Sequence, residues 1–397
     1  MSESGDNKQN KILFFQWNAF MQKGMERALK ELSMEYEIYE YHFEDWDHDD
    51  KFYQQFLTFL KNRPEFGSVL TVNFFPVISD VCEQLQIPYI SWVYDAPVHI
   101  RRTETMKNSC NRIWFFDRVQ AEQFQAQGVE HAYHLPLAVD SSVFSECAGI
   151  DCNPIDIPTY DCDVSMVGKL YQSDFAYLCG PLDRYWRGYL DGIVAAQMRV
   201  QFGYVIGEMI DEKLIDQLNA YYRKASKGTF QVKKEELEYT LACEVTSRTR
   251  MMALSLLQSR CNVDLYGNDQ NDLLDQVNMK GYADYYTQMP RAFHNSKINL
   301  NLSLRIIQSG IPLRVLDVLG CGGFLITNYQ PEILEYFEPG VDLVVYEGLK
   351  DLVAKVDYYL KHGEERIAIA RNGYQKVQKL FSFEERLRTM FDQLNEK

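Results

Sequence analysis

Short apolar runs of strand length recur along this chain between segments with helical spacing, and no other feature narrows its folds as much. In the first half the strand-like runs cover 11–17, 68–74, 87–95 and 112–117, with helical patterns at 21–32, 52–60, 77–85 and 119–127. Alternation of this kind builds a parallel sheet covered by helices. A second series opens at DVSMVGKL (163–170) and resumes at CNVDLYG (261–267), KINLNLSL (297–304), GGFLITNY (322–329) and DLVVYE (342–347). The stretch between its first two strands, 171–257, is helical. There Ile210, Leu214, Ile215, Leu218 and Tyr222 repeat along one face, and Leu237, Leu241, Val245 and Met252 along another. Leu352, Val356, Tyr359 and Leu360 share a later helix face, and FSFEERLRTMFDQL closes the chain.

At 397 residues the chain exceeds one ordinary core, and two domains are expected. The segment 151–160, with Pro154 and Pro158 and no apolar period, reads as the linker. The expected division is 1–155, then 161–380 with the helical insertion 171–257, then a terminal helix 381–397 packing back on the first domain. The opening MSESGDNKQN reads as a floppy end without the charged-then-apolar pattern of a secretory signal. No apolar run approaches the roughly 20 residues that cross a bilayer, so the chain is expected to stay in the cytoplasm. A net charge of −15 and a pI near 5.0 oppose attraction to nucleic acid and anionic lipid. The nine cysteines form no CxxC pair, and Cys147, Cys152 and Cys162 match no zinc spacing, so reduced, buried thiols are expected.

If the chain bound a dinucleotide, its first strand would run into a glycine fingerprint. After Trp17 comes NAFMQKGMERAL, with one glycine, which removes the main support for nicotinamide chemistry. No GxSxG elbow, P-loop or HExxH is present, and the seven histidines are scattered. Glycines cluster instead in IPLRVLDVLGCGGFLIT (311–327), where an amphipathic helix precedes Gly320, Gly322 and Gly323. That helix is expected to begin near Pro312, with Ser309 and Gly310 just ahead, and to offer its first amides to a phosphate. Asp317, further along, is placed to accept hydrogen bonds from vicinal hydroxyls from an open cleft. The alternative puts Asp317 and Arg314 on a solvated helix face. In the first half, IPYISWVYD ends in Asp95 at a strand's carboxyl end, where open α/β sheets present their ligands. A partly buried carboxylate there would act as a general base, with Tyr94 and His99 as accessory groups. The competing reading is a cap for the following helix.

From about 161 to 388 the sequence resembles the C-terminal half of the CgeB-like proteins and related GT-B glycosyltransferases. VSMVGKL, KGYADYYTQMPRAFHNSKINLNLSL, PLRVLDVLGCGGFLITNY, YYLKHGEERIAIARNGYQKV and FSFEERL carry the resemblance. The stretch TVNFFPVISDVCEQLQIPYISWVYDAPVHI resembles an uncharacterised bacterial domain that precedes such halves. The resemblance implies an α/β fold of GT-B type: two Rossmann-like domains facing across a cleft, acceptor on the first and nucleotide sugar on the second. It places the donor-hydroxyl acid on Asp317. Family members often carry a second acid eight positions earlier, where this chain has Ser309. Gly168 and Lys169 fall where backbone amides and a basic side chain meet the diphosphate, although Lys169 also suits an ordinary surface. Arg305, Ser309, Gly310 and Arg314 complete the implied donor set, and Asp95 is the catalytic candidate. No DxD-type pair follows a strand in a plausible donor position, so no metal site is expected. The implied reaction is metal-independent transfer of a sugar from a UDP- or dTDP-linked donor, without another cofactor, to a glycan or protein hydroxyl. Bacterial cell-surface polysaccharide or surface-protein glycosylation is the implied setting. The rival readings are a catalytically silent GT-B scaffold for another transferase and a nucleotide-sugar hydrolase or epimerase. Residues 171–257 suit acceptor recognition or self-association.

Overall fold

The computed structural model describes residues 11–154 and 159–395. The opening ten residues and the middle of the linker lie outside the described residues. The chain divides into two compact units, 1–140 with 379–397, and 141–378.

The first unit is a six-stranded, all-parallel sheet. In chain order it contains β1 (Lys11–Gln16), α1 (Gln22–Glu31), β2 (Tyr36–Glu40), α2 (Asp50–Lys61), β3 (Phe66–Val72), α3 (Pro76–Leu85), β4 (Tyr89–Val93), β5 (Asn111–Phe115), α4 (Arg118–Ala126) and β6 (Ala132–His134). The spatial order is β2-β1-β3-β4-β5-β6, so the winding reverses between β1 and β3. Both faces of a parallel sheet must be covered, and its strands accordingly carry unbroken apolar runs. Leu13, Phe15, Val69, Tyr89, Val93, Ile113 and Phe115 are buried with Phe52 and Phe56 of α2 and Ile78 and Val81 of α3. Asp49 starts α2 by accepting from the Phe52 amide, and Asp117 starts α4 by accepting from Val119 and Gln120.

The second unit repeats the plan in the order β12-β11-β10-β7-β8-β9, again all parallel. It opens with α5 (Ser141–Ala148), ahead of the proline-bearing 151–160 segment. Arg291 Nε donates to the Ala148 carbonyl at 2.8 Å and Ser141 Oγ to the Gly320 carbonyl, which ties α5 into this unit. β7 (Cys162–Val167) follows, then the helical insertion: α6 (Phe175–Cys179), α7 (Arg184–Arg199), α8 (Glu212–Ala225) and α9 (Lys234–Leu257). These helices share a core of their own around Leu190, Ile193, Leu214, Leu218, Tyr222, Leu237, Leu241 and Val245. Met252, expected on the buried face of α9, is 48% exposed. The stripe turns away from it toward Arg250, Leu254 and Leu257.

The remaining elements are β8 (Val263–Tyr266), β9 (Asn278–Met279), α10 (Met289–His294), β10 (Ser296–Asn301), α11 (Leu313–Gly320), β11 (Leu325–Asn328), α12 (Ile333–Tyr336), β12 (Val344–Tyr346), α13 (Leu349–Tyr359) and α14 (Gly363–Leu380). Here the winding reverses between β7 and β10. The last helix, α15 (Phe383–Asn395), packs on α1 in the first unit. Phe383 lies so close to Gly24 that a Cβ there would meet its ring at 2.5 Å, and Gln393 accepts from Trp114 Nε1. No helix among the described residues is long and apolar enough to cross a membrane.

Gly373 in α14 tests how tightly the second unit is packed. A Cβ at this position would overlap the Asp342 carbonyl oxygen and stand 2.7 Å from Leu319 Cδ2 on α11. Gly373→Ala gains about 1 kcal/mol of helix propensity, but it drives a methyl group into backbone, and overpacking of this kind costs roughly 1–3 kcal/mol. The expected net result is lower stability in urea unfolding, and a stabilised variant would contradict this packing.

Candidate functional site

Strands of a parallel sheet all end on one edge, and ligands of open α/β sheets gather at that edge where the winding reverses. In the first unit this point lies at the ends of β1 and β3. The residue that follows β3 is Asn73, buried and in the left-handed conformation with φ 64°. Asparagine tolerates that conformation better than most side chains. Its amide works in both directions: Oδ1 accepts from the Tyr94 backbone N–H at 2.8 Å, and Nδ2 donates to Asp95 Oδ2 at 2.7 Å.

Asp95 is half-buried just past β4, and burial raises its pKa above the usual aspartate value, against the lowering effects of His99 and the Asn73 bond. The capping alternative does not hold. The first helical turn after Asp95 starts at Thr103, and the carboxylate is bound by a side-chain amide instead. The Tyr94 ring packs edge-on to Trp92 at 4.9 Å, and His99 is exposed beside Asp95. Sequence reasoning found Asp95 and missed Asn73. The signal was available as an asparagine immediately after an apolar strand at its carboxyl end.

In the second unit the corresponding edge lies at the ends of β7 and β10. Gly168 follows β7 with φ 147°, and its N–H donates to the Tyr266 carbonyl at the end of β8. A Cβ on Gly267 would stand 2.7 Å from the Gly168 oxygen, so the two strand ends meet backbone to backbone. The Lys169 side chain is exposed. Leu302, just past β10, lies at the same edge. Arg250, reaching in from α9, donates to both the Lys169 and the Leu302 carbonyls. Arg305 donates from its backbone to Thr246 Oγ1 at 2.9 Å and from its guanidinium to the Val200 carbonyl at 3.0 Å and to that of Gly203.

Beside Arg305 opens a shallow hollow walled by Gln197, Gln201, Thr246, Ser303, Asn328 and Tyr346. A second hollow shares Arg305 and Gln201 with it and adds Tyr204, Gln308 and Tyr329. The lining mixes neutral polar side chains with apolar ones, Met198, Val245, Leu302 and Ile307 among them, and Arg305 is its one charged residue. Both Arg250 and Arg305 lie within electrostatic range of the Tyr346 hydroxyl, and Arg314 within range of Arg250. Three guanidiniums therefore gather at one edge of a protein with net charge −15.

The helix that follows begins where expected, with Pro312 as the N-cap residue of α11, but its surroundings differ from expectation. Ser309 and Gly310 ahead of it are buried. Ser309 Oγ donates to Glu332 Oε1 at 2.8 Å, and the Glu332 N–H returns a bond to the Ser309 carbonyl at 3.1 Å. Asp317 does not point into open space: it is 1% exposed. Its Oδ1 accepts from the Tyr285 hydroxyl at 2.9 Å, and its Oδ2 lies 3.5 Å from Arg314 Nη1. Arg314 is half-buried over the Phe293 ring of α10, so neither residue sits on a solvated helix face. The reason is local. α11 is amphipathic with α10 across from it, and the loop bearing Tyr285 covers the turn where a solvent-facing aspartate was expected. The structure thus brings Gly168, Lys169 and Arg305 to one edge, buries Ser309 and Gly310 in the approach to α11, and seats Arg314 and Asp317 against α10. No group of three or more His, Cys, Asp or Glu side chains suited to a metal occurs among the described residues.

Residues 248–392 match the family described as Glycosyl transferase-like. No curated protein matches the sequence. Among solved structures, a sucrose-phosphate synthase from Thermosynechococcus elongatus aligns with 98% of this chain and 99% of its own, at 10% identity and a TM-score of 0.54. Anabaena HepE in complex with UDP-glucose aligns with 98% of this chain and 100% of its own, at 10% identity and a TM-score of 0.53. At such identity the likeness is one of fold, and the fold is GT-B: two Rossmann-like halves, each with a parallel sheet and covering helices.

Burial raises the Asp317 pKa to about 6 from an ordinary value of 3.8, against the lowering effects of Arg314 and Tyr285. A carboxyl whose folded pKa lies above its unfolded one favours folding when protonated. That contribution is present below about pH 4 and is lost as pH rises through 6. Asp317→Asn removes the dependence, so its stability relative to wild type should rise by on the order of 2–3 kcal/mol between pH 4 and 7. Urea melts across this range measure it, and parallel curves for the two proteins would show an ordinary Asp317.

Proposed function

We propose that the protein is a glycosyltransferase that moves a sugar from a nucleoside-diphosphate sugar to a hydroxyl acceptor. The observation that carries this reading is the pair Arg250 and Arg305 at the β7/β10 reversal, beside a hollow with hydrogen-bonding side chains; both arginines and β10 lie within the segment that matches the glycosyl transferase-like family. A hollow whose walls mix apolar and hydrogen-bonding side chains suits a base or sugar ring, and the guanidinium of Arg305 in its wall suits a diphosphate. Gly168, Lys169 and Arg305 are assigned to the phosphates, and the loop through Ser309 and Gly310 to the donor. Asp317 and Arg314 are assigned to shaping α11, with contact to a ribose requiring Tyr285 to yield its bond. The likeness to HepE, whose structure holds UDP-glucose, supports a UDP-linked donor.

In the reaction the acceptor oxygen bonds to the anomeric carbon and gives its proton to a base, while the bond from that carbon to the diphosphate oxygen breaks. The negative charge growing on the leaving diphosphate is the main electrostatic load, and fixed cations stabilise it without a metal. Asp95 is the candidate base, because partial burial brings its proton affinity closer to neutral and Asn73 holds its carboxylate. The Glu332 carboxylate at Ser309 bears on the rival scaffold reading. Glu332 is fully buried and bonded to Ser309, so it does not replace a ligand-facing acid, and the departure at position 309 remains the feature that favours a silent scaffold. A bacterial surface polysaccharide or surface protein is the acceptor class that the sequence resemblance suggests.

Calorimetric titration with UDP, UDP-glucose and dTDP, followed by product analysis with and without glycan acceptors, tests the reading. Binding of a nucleoside diphosphate with acceptor-dependent release is expected, whereas sugar release at the same rate without acceptor would favour a hydrolase. Asp95→Asn should leave donor binding intact and lower transfer by about 10²-fold or more. Turnover should persist in excess EDTA. Loss of activity that a divalent ion restores would refute the metal-independent scheme.

A further inference from the structure

Arg250 has an environment that its fold role alone does not explain. It lies sixteen residues after Lys234 begins α9, and only 8% of it is exposed. Its Nε donates to the Leu302 carbonyl at 3.0 Å, Nη2 donates to the same oxygen, and Nη1 donates to the Lys169 carbonyl. The guanidinium lies 4.9 Å from the centre of the Tyr171 ring. Gly168 makes room for it, since a Cβ there would stand 3.2 Å from Nη1. One side chain from the insertion thus fastens the loop after β7 to the loop after β10.

All the polar partners are neutral. Among the described residues no carboxylate forms an ion pair with Arg250. Asp269 lies in electrostatic range without forming an ion pair with it, its carboxylate accepting from the Leu170 N–H. An arginine stays ionised, and a buried ion with no directly paired counter-charge is costly to fold around. A hydrophobic residue would fill the same stripe of α9 without that cost. The position makes sense where the opposite charge arrives with a ligand.

We propose that Arg250 is the positioning residue for the donor's diphosphate, clasping the β7 and β10 loops that contact it and supplying the fixed positive charge behind them. This rests on the nucleotide-sugar reading above. Three of the five N–H donors of Arg250 are engaged by the two carbonyls, so its assigned role lies behind the loops and not in contact with the phosphates. It acts through loop geometry and through charge at short range in a site of low polarity.

The test compares UDP, uridine and inorganic pyrophosphate as calorimetric ligands for wild type, Arg250→Lys and Arg250→Met, with near-ultraviolet circular dichroism confirming the fold. Arg250→Lys keeps the charge and loses the double clasp; it stands in if Arg250→Met does not fold. In Arg250→Met, affinity for UDP and pyrophosphate should fall by about tenfold or more, the scale of one charge-assisted contact, while uridine affinity changes less than about twofold. Arg250→Lys should fall between. Equal weakening of uridine and UDP would overturn the proposal, since Arg250 would then only hold the fold together. Unchanged UDP and pyrophosphate affinities would overturn it as well. If wild type binds pyrophosphate but no nucleotide, and Arg250→Met weakens that binding, the nucleotide-sugar reading fails and Arg250 keeps its phosphate role. Failure of wild type to bind any of the three overturns both.

Discussion

Everything functional in this protein depends on the parallel pairing of its strands. A parallel sheet needs a crossover after every strand, so the twelve strands among the described residues end on the carboxyl edge of their own sheet, and the loops of the candidate site leave from there. Where the winding reverses, neighbouring strands send their crossovers to opposite faces, and a gap opens between the departing chains. The first unit meets this gap with Asn73, whose left-handed backbone and two-way amide turn the chain and fix Asp95. The second meets it with Arg250, a side chain imported from an insertion. The two solutions share a logic: a polar side chain satisfies backbone groups at the strand ends and leaves an oriented charge beside them.

The helical insertion is therefore part of the strand-end edge. Its own core around Leu190, Leu218 and Leu241 makes it a stable body, and it meets the sheet through Arg250 on α9 and through the Val200 and Gly203 carbonyls that receive Arg305. Those carbonyls follow the end of α7 and also accept from Gln197 Nε2. Gln197 and Arg305 thus share the two oxygens beside the hollow that Gln197 and Gln201 help to wall.

Most of the fold was legible in the sequence because it is written in local periodicity. Apolar runs such as KILFFQ and VSMV become central strands, and the spacing Leu214, Leu218, Tyr222 becomes a buried helix face. β2 and β6 escaped, since YEIYE alternates with charged residues and AYH is three residues long, as befits edge strands. The candidate site was legible only where position along a strand is itself the signal, as for Asp95, Gly168 and Lys169. Asn73, Arg250 and Glu332 act on partners 22, 81 and 23 positions away, and no local pattern encodes such contacts. Arg250 did leave a trace: it replaces an apolar residue on the stripe Leu241, Val245, Leu254, Leu257, where Met252 was taken instead.

Asp317 shows what residue type and helical phase leave out. The phase of α11 puts Asp317 on the same face whether that face meets water or a neighbour, and only the tertiary fold brings Tyr285 and α10 over it. Once covered, an aspartate must be paired, protonated or both, and here one oxygen takes a hydroxyl bond while Arg314 stands 3.5 Å from the other. The separation is long for a charge-assisted hydrogen bond, which runs about 2.7–2.9 Å, so the pair is only partly closed. The carboxylate therefore keeps much of its desolvation cost, as its raised pKa indicates. The structure shows that group closed on Tyr285 inside α11's packing, and contact with any donor hydroxyl would require this bond to open.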